Sequence, residues 1–172
     1  LCPVIGSAHK GGIRLSRYNL ADLHTHSFCS DGLRTPTQAA EEAHEAGVQA
    51  LSLTDHDTVE GVGELLDAGK RLGLDIIAGA EMSAHVKERE VHILAYCLDW
   101  QDPGLAQHLD LLRERRHDRG VAIVERLNEL GVEISVEEVM VQASGGLVGR
   151  PHIAAALVKR GVVVDKEQAF KR

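Results

Sequence analysis

Histidine and carboxylate side chains recur along the first hundred residues of this 172-residue chain, at spacings that suit metal binding. The chain holds ten histidines, and His24 and His26 lie two residues apart in DLHTHS, at the end of a short apolar run. Residues two apart in a strand point to the same face, so both imidazoles can reach one ion. Imidazole nitrogens and carboxylate oxygens are ligands that divalent transition metals take from proteins. The candidate ligands are His24, His26, Asp31, His56, Glu81 and His92.

These residues follow segments that are typical of buried strands. Leu20–Leu23 precedes the paired histidines, Val48–Thr54 leads into His56 within TDHDT, and Leu74–Ala78 leads into Glu81 within GAEMS. The last candidate histidine opens the apolar segment VHILAY. The carboxyl ends of parallel strands meet at one edge of an α/β sheet, where enzymes of this class gather their sites. A lone His-x-His is more often a satisfied core pair, but burying so many polar groups without a metal or mutual partners costs several kcal/mol.

Helices are predicted between the strands. Thr35 is the expected N-cap of the first helix, with Pro36 at its first position, Gln38 completing a capping box and Gly47 as its end. A second helix is predicted over roughly 59–72, and Gly73 ends it. The segments 82–86 and 91–96 are predicted to form a hairpin around the charged turn KERE. Alternating strands and helices predict an α/β fold with a largely parallel sheet.

The pattern changes after Trp100. Residues 103–130 form one long helical pattern with an expected break near Gly120. Two shorter helices are predicted at about 136–143 and 151–160. This part of the chain is therefore expected to be a helical insertion or cover rather than more sheet.

Composition excludes several classes of protein. No run approaches 18 apolar residues, so neither a membrane span nor a membrane partner is predicted. Three cysteines without paired spacing argue against a secreted disulfide framework, and with no signal-peptide pattern they favour a cytoplasmic location. The net charge of −7 is uneven: residues 20–100 carry fifteen acids and five bases, whereas residues 101–172 carry eleven of each. An acidic half suits a cation site, although solvated helix surfaces explain such runs equally well.

The ordered motifs DLHTHS, SDG, TDHDT, GAE and EVHILAY resemble the PHP family, the polymerase and histidinol phosphatase phosphoesterases. Within that family the chain is most similar to the stand-alone bacterial branch that acts on nucleotides or RNA 5′ ends. The resemblance covers about residues 20–160. It implies a distorted, seven-stranded TIM-like barrel that holds two or three divalent ions, with Mn²⁺ favoured and Zn²⁺ or Fe²⁺ as alternatives.

Carried over by position, the resemblance implies three ion sites. His24 and His26 with Glu81 would hold one ion, Glu81 and His92 a second, and the remaining two candidates, Asp31 and His56, a third. The family completes its centre with a further histidine and an Asp-x-His pair, and no Asp-x-His follows the last candidate here. We therefore expect a barrel that is incomplete at its C-terminal end, with metal bound weakly or at fewer sites by these residues alone.

Composition, sequence pattern and this resemblance together give the expected organisation of the chain. Residues 1–19 are expected to be a disordered basic leader, and residues 20–100 the first part of the barrel with its ligand motifs. Residues 101–160 are expected to be the helical insertion, and residues 161–172 the start of an interrupted segment.

Three further residues are candidates for catalysis. Asp55, beside His56, fits a residue that orients imidazoles, or one that caps the turn after the strand, as we expect of Asp57. Arg150 and His152 precede an apolar helix, where a guanidinium and an imidazole can contact a substrate phosphate with help from free backbone N–H groups. An exposed arginine and a helix cap are the alternative interpretation of this pair.

The function predicted from these residues is phosphate-ester hydrolysis by a metal-activated water, on a small phosphorylated substrate such as a nucleotide or on an RNA end. No protein partner is evident. One alternative is a catalytically inactive scaffold of the same fold. Another is an amidohydrolase-type hydrolase, which is disfavoured because Lys70, Lys87 and Lys159 do not lie at convincing strand ends.

Overall fold

A computed structural model describes residues 20–87, 89–143 and 148–171. The expectation of a disordered leader at residues 1–19 lies outside the described residues. The helices and strands, in chain order, are β1 Ala21–Thr25, α1 Pro36–Glu45, β2 Ala50–Leu53, α2 Val62–Leu72, β3 Asp75–Val86, β4 Arg89–Tyr96, α3 Pro103–Glu129, α4 Val136–Gln142, α5 Arg150–Lys159 and α6 Lys166–Lys171.

The chain divides into two compact units, one ending at Asp110 and the other starting at Leu111. Among the described residues, the four strands belong to the first unit, and the regular elements of the second are helices. The boundary between the two units falls inside α3. No helix in the described part of the chain combines the length and hydropathy needed to cross a membrane.

The sheet of the first unit has the strand order β1-β2-β3-β4. β1 pairs with β2 and β2 with β3 in parallel, and β4 joins β3 in the antiparallel direction. The α/β class and the parallel direction of β1, β2 and β3 are as predicted. In the core of this unit, buried apolar side chains of α1, α2 and the sheet form one cluster, including Leu51, Leu53, Leu65 and Ile76.

Local sequence signals set the ends of the helices in this unit. Thr35 is the N-cap of α1 and forms the predicted capping box with Gln38. Gly73 follows α2 with a φ of 74°, a left-handed conformation that glycine adopts without steric cost. The structure confirms both predicted helix ends. They could be predicted because each depends only on residues within one turn.

The prediction of separate strands at 74–78 and 82–86 is wrong, since β3 is continuous from Asp75 to Val86. Gly79 resembles an interruption in the sequence. A Cβ at this position would lie 2.6 Å from the Ser52 hydroxyl oxygen, so glycine permits close packing against β2 instead of ending the strand. The hairpin between β3 and β4 is confirmed.

The expected break in the long helix is also absent, because α3 continues through Gly120. A Cβ on Gly120 would lie 2.7 Å from Val148 Cγ1. Here glycine lets a buried valine approach the helix backbone, which the sequence pattern alone does not reveal. Val148 belongs to the apolar cluster of the helical unit, together with Val124, Val139 and Ile153.

Candidate metal centre

Glu81 lies at the middle of the candidate centre. Its backbone pairs with His56 in an isolated parallel bridge, just beyond the last residues that join β3 to β2. The parallel part of the sheet therefore ends at this point, although β3 itself continues alongside β4. The Glu81 side chain is 6% exposed, so its carboxylate is placed among protein groups rather than in bulk water.

One carboxylate oxygen of Glu81 faces both histidines of the DLHTHS motif. Its Oε2 atom lies 2.8 Å from His24 Nε2 and 3.2 Å from His26 Nε2. His24 is in β1 and His26 immediately follows that strand. The expectation that both imidazoles of the His-x-His pair reach one point is therefore met. His24 is the more accessible of the two, with about half of its side chain exposed (51%).

The other carboxylate oxygen of Glu81 faces two further histidines, His92 and His56. Glu81 Oε1 lies 2.5 Å from His92 Nδ1 and 3.8 Å from His56 Nδ1. His92 comes from β4, and His56 follows β2. A single carboxylate thus contacts or approaches imidazoles that originate from three strands of the sheet.

Asp31 reaches the same cluster from the loop after β1. Its Oδ1 atom lies 3.6 Å from His26 Nδ1, and its Oδ2 atom lies 3.5 Å from His56 Nε2. The loop folds tightly, because the Gly32 N–H donates to the Ser27 carbonyl at 2.9 Å. A Cβ on Gly32 would lie 2.3 Å from the His26 carbonyl oxygen, so this close approach requires glycine.

The imidazole rings form a continuous row. Centroid distances are 5.1 Å from His24 to His26, 4.7 Å from His26 to His56 and 4.8 Å from His56 to His92. Burial by itself raises the pKa of Glu81, but the hydrogen bond from His24, the charge of His56 and the hydrogen bond from His92 outweigh it. The pKa of this carboxyl is therefore held below its usual range, and the side chain is an anion at neutral pH.

The donor set fits divalent metal ions. Ligand atoms form three overlapping groups, each within 4.8 Å: His24 with His26 and Glu81, His26 with Asp31 and His56, and His56 with Glu81 and His92. The buried Nδ1 atom of His26 has no hydrogen-bond partner among the described residues. A buried polar atom of this kind carries a desolvation cost that coordination of a cation removes. Clustered neutral imidazoles and carboxylates are the chemistry that such ions require.

Asp55 and Asp57 flank His56 in sequence, and both carboxylates accept hydrogen bonds from serines of other segments. Asp55 is 1% exposed, and its carboxylate accepts hydrogen bonds from Ser27 and Ser30. Asp57 is fully buried and accepts hydrogen bonds from Ser83. The sequence predicted no role for the three serines, because each lies 25 to 28 residues from its aspartate.

Arg150 and His152 belong to the helical unit. Arg150 is the exposed first residue of α5 and lines an apolar pocket that includes Ile153 and Phe170. His152 is buried, and its Nδ1 atom accepts a hydrogen bond from the Gly149 backbone N–H at 3.1 Å. The alternative of a helix cap therefore applies to His152, whereas a contact of either residue with a phosphate stays a prediction.

One further carboxylate near the cluster was not predicted. Glu90 Oε1 lies 3.3 Å from His92 Nε2, on the far side of the ring from Glu81. The two residues are two apart in β4 and so share a face of the strand. The signal was present in the motif EVHILAY, where the glutamate precedes the histidine by two positions.

Comparison with known proteins identifies relatives along most of the chain. The PHP domain family matches residues 22–158. The 5′-3′ exoribonuclease of Haemophilus influenzae is 36% identical over 151 residues, which are 88% of this chain and 55% of that protein. The 3′,5′-nucleoside bisphosphate phosphatase of Chromobacterium violaceum is 33% identical over 152 residues, which are 88% of this chain and 53% of that protein.

A solved structure from Bifidobacterium adolescentis, assigned as a metal-dependent phosphoesterase, superimposes with a TM-score of 0.80 at 33% identity. The match covers 88% of this chain and 54% of that one. The chain thus spans about half the length of the relatives that it matches. Its mixed α/β architecture, with four strands, agrees with an incomplete TIM-like barrel. From the family match and these identities, the chain belongs to the PHP domain family.

Proposed function

We propose that this chain forms much of the catalytic centre of a metal-dependent phosphoesterase, which hydrolyses phosphate esters of nucleotides or RNA 5′ ends. The observation that carries the proposal is the convergence of four imidazoles on the two oxygens of Glu81, with Asp31 closing the cluster. The relatives include an exoribonuclease and a nucleoside bisphosphate phosphatase, which supports this substrate class.

The six clustered side chains would hold the ions in the three groups described above. A bound divalent ion makes water a stronger acid near neutral pH and offsets charge on phosphoryl oxygens. Glu81 presents one oxygen to the His24 and His26 pair and the other to His92, and it would contribute a ligand to both of these ion groups. Mn²⁺ is our preferred ion, with Zn²⁺ or Fe²⁺ as alternatives.

The protein groups fix the charge and orientation of this centre. The pKa of Glu81 is not raised above its usual range despite its burial, so this side chain is deprotonated at neutral pH, as metal binding requires. Asp55 is buried in hydrogen bonds with Ser27 and Ser30, which supports a role in holding the ligand loop rather than direct contact with substrate. Arg150, with His152 beside it, is proposed to bind the phosphate through its exposed guanidinium.

The complete barrel is also a proposal. β1 and β4 are the outer strands of the sheet, and each has one partner strand in the described part of the chain. Both edges are therefore open to further strands, as a seven-stranded closed barrel requires. In that arrangement the remaining strands would supply the histidine and the Asp-x-His pair that the resemblance implies. A cytoplasmic location stays a prediction.

The test is phosphate release by the full-length protein with Mn²⁺. The substrates are p-nitrophenyl phosphate, a nucleoside 3′,5′-bisphosphate and a 5′-phosphorylated RNA oligonucleotide. We expect turnover by the wild type and its loss in His24→Ala, because the variant lacks one proposed metal ligand. His24 is chosen because its side chain is half exposed, so its truncation has little effect on the core. His44→Ala is the matched control, since His44 is exposed on α1 and distant in sequence from every candidate ligand.

Two results would contradict the proposal. One is a wild-type protein that binds Mn²⁺ without hydrolysing any of the three substrates, which would favour an inactive scaffold. The other is equal activity of His24→Ala and His44→Ala, which would place the chemistry elsewhere.

A further inference from the structure

The carboxylates of the two aspartates in TDHDT accept hydrogen bonds from two different segments, the loop after β1 and strand β3. Asp55 is 1% exposed and Asp57 is fully buried. Buried carboxylates are costly unless hydrogen bonds satisfy them, so their partners are required rather than incidental. These partners belong to segments that carry the other candidate ligands.

Asp55 holds the loop between two of those ligands. Its Oδ1 atom accepts hydrogen bonds from the Ser27 backbone N–H at 2.7 Å and the Ser30 hydroxyl at 2.6 Å, and its Oδ2 atom accepts from the Ser27 hydroxyl at 2.6 Å. Ser27 directly follows His26, and Ser30 directly precedes Asp31. One carboxylate therefore fixes both ends of the short segment that separates these ligands. We refer to Asp55, Ser27 and Ser30 as the Asp55 network.

Asp57 holds the opposite side. Its Oδ1 atom accepts a hydrogen bond from the Ser83 backbone N–H at 2.7 Å, and its Oδ2 atom accepts from the Ser83 hydroxyl at 2.7 Å. Ser83 is two residues after Glu81 in β3 and pairs with His92 of β4 in the sheet register. The Asp57 N–H also donates to the Glu81 carbonyl at 2.9 Å. We refer to Asp57 and Ser83 as the Asp57 network.

We propose that these networks are positioning devices for different ions of the centre. The Asp55 network sets the separation of His26 and Asp31, and the Asp57 network sets Glu81 against His92. The inference rests on the proposed metal centre. Partners that orient ligands are typically worth 10–100-fold in metal affinity, because a ligand that must be reoriented binds less tightly.

Because each network is proposed to affect a different metal-binding step, variants of the two networks should weaken different steps. A general loss of stability would not produce this difference. The variants are Ser30→Ala in the Asp55 network and Ser83→Ala in the Asp57 network, with Ser27→Ala as a second variant of the former. Ser52→Ala is the matched control. Ser52 is fully buried in β2, and its hydroxyl has no hydrogen-bond partner among the described residues. This control removes a buried serine hydroxyl without removing a contact to either aspartate.

Each variant of the full-length protein is titrated with Co²⁺, followed by visible absorption and calorimetry, and its fold is checked by circular dichroism. Reference variants Asp31→Asn and His92→Ala identify the binding step that depends on each ligand. We expect Ser30→Ala and Ser27→Ala to weaken the Asp31-dependent step by about 10–100-fold, and Ser83→Ala to weaken the His92-dependent step to a similar extent. Ser52→Ala should leave both steps at their wild-type affinity.

The outcomes separate this inference from the proposed function. Wild-type protein that binds no Co²⁺ overturns both. Wild-type protein that binds Co²⁺ and hydrolyses phosphate esters, while all three network variants titrate like Ser52→Ala, overturns the inference alone. Uniform weakening of both steps by every network variant also overturns it, because that pattern indicates general loosening of the sheet.

Discussion

Replacement of Gly32 by alanine tests whether the conformation of the loop after β1 determines the position of the Asp31 carboxylate. The added Cβ would lie 2.3 Å from the His26 carbonyl oxygen, 2.5 Å from its carbon and 2.8 Å from the Ser27 nitrogen. All three atoms are backbone, so no side chain can rotate away and the loop itself must move. Overpacking of this kind costs about 1–3 kcal/mol of stability.

The movement falls on a residue next to a candidate ligand. Asp31 lies between 3.5 and 3.6 Å from the imidazole nitrogens of His26 and His56, so a shift of about 1 Å changes both separations by a large fraction. A misplacement of that size can lower the rate about 10²-fold. We therefore expect Gly32→Ala to reduce phosphatase activity by about two orders of magnitude and to weaken metal binding at the group that contains Asp31.

Gly69→Ala is the matched control for stability. Its Cβ would lie 2.3 Å from Ile76 Cγ1, inside the core of the same unit and against a side chain that is not a candidate ligand. Both variants are measured by urea unfolding, p-nitrophenyl phosphate hydrolysis and Mn²⁺ titration. If Gly32→Ala and Gly69→Ala lose similar stability but only Gly32→Ala loses activity, the loss of activity is due to displacement of the Asp31 loop. Wild-type metal affinity and turnover in Gly32→Ala would refute it.

Three further predictions concern stability and metal. Leu65→Ala should destabilise the first unit by about 2–5 kcal/mol in urea unfolding, since Leu65 is fully buried in the core; a loss below 1 kcal/mol would contradict the packing described here. The hydrogen bond from the backbone N–H of Ser135 lowers the pKa of Glu138; desolvation opposes this effect and Arg160 adds to it. The Glu138 carboxylate therefore stabilises the folded state above its unfolded-state pKa, and this stabilisation is lost as the pH falls through the lowered folded-state pKa. The stability difference between wild type and Glu138→Gln should therefore shrink from pH 7 to pH 3, and a pH-independent difference would contradict this. Removal of metal by EDTA should lower the melting temperature, and Mn²⁺ at 100 times its Kd should raise the free energy of unfolding of the metal-free protein by about 2.7 kcal/mol. An unchanged melting temperature after EDTA treatment would indicate a metal-free scaffold.

The features predicted correctly from sequence depend on short-range rules. The capping box at Thr35 and the glycine after α2 involve residues within one turn, and the His-x-His pair follows from strand alternation. The structure also brings the six candidate ligands together in one cluster, and metal binding by them stays a prediction. Five of them lie near the ends of parallel-paired segments, which a parallel sheet brings to one edge, whereas His92 lies in the antiparallel strand β4.

The features that sequence did not predict depend on contacts between distant residues. Gly79 and Gly120 looked like interruptions, but each is a point where a neighbouring segment packs against the backbone. The serine partners of Asp55 and Asp57 are 25 to 28 residues away, so no local pattern marks them. Whether Arg150 contacts substrate also depends on packing that local sequence does not encode.

We propose that the side chains around Glu81 bind divalent metal ions for phosphate-ester hydrolysis. Anomalous X-ray diffraction from crystals of the full-length protein soaked in Mn²⁺ locates such ions. We expect anomalous peaks within bonding distance of Glu81, with imidazole nitrogens of His24 or His26 on one side and His92 on the other. Mn²⁺ peaks elsewhere, with this cluster free of anomalous density in active protein, would contradict it.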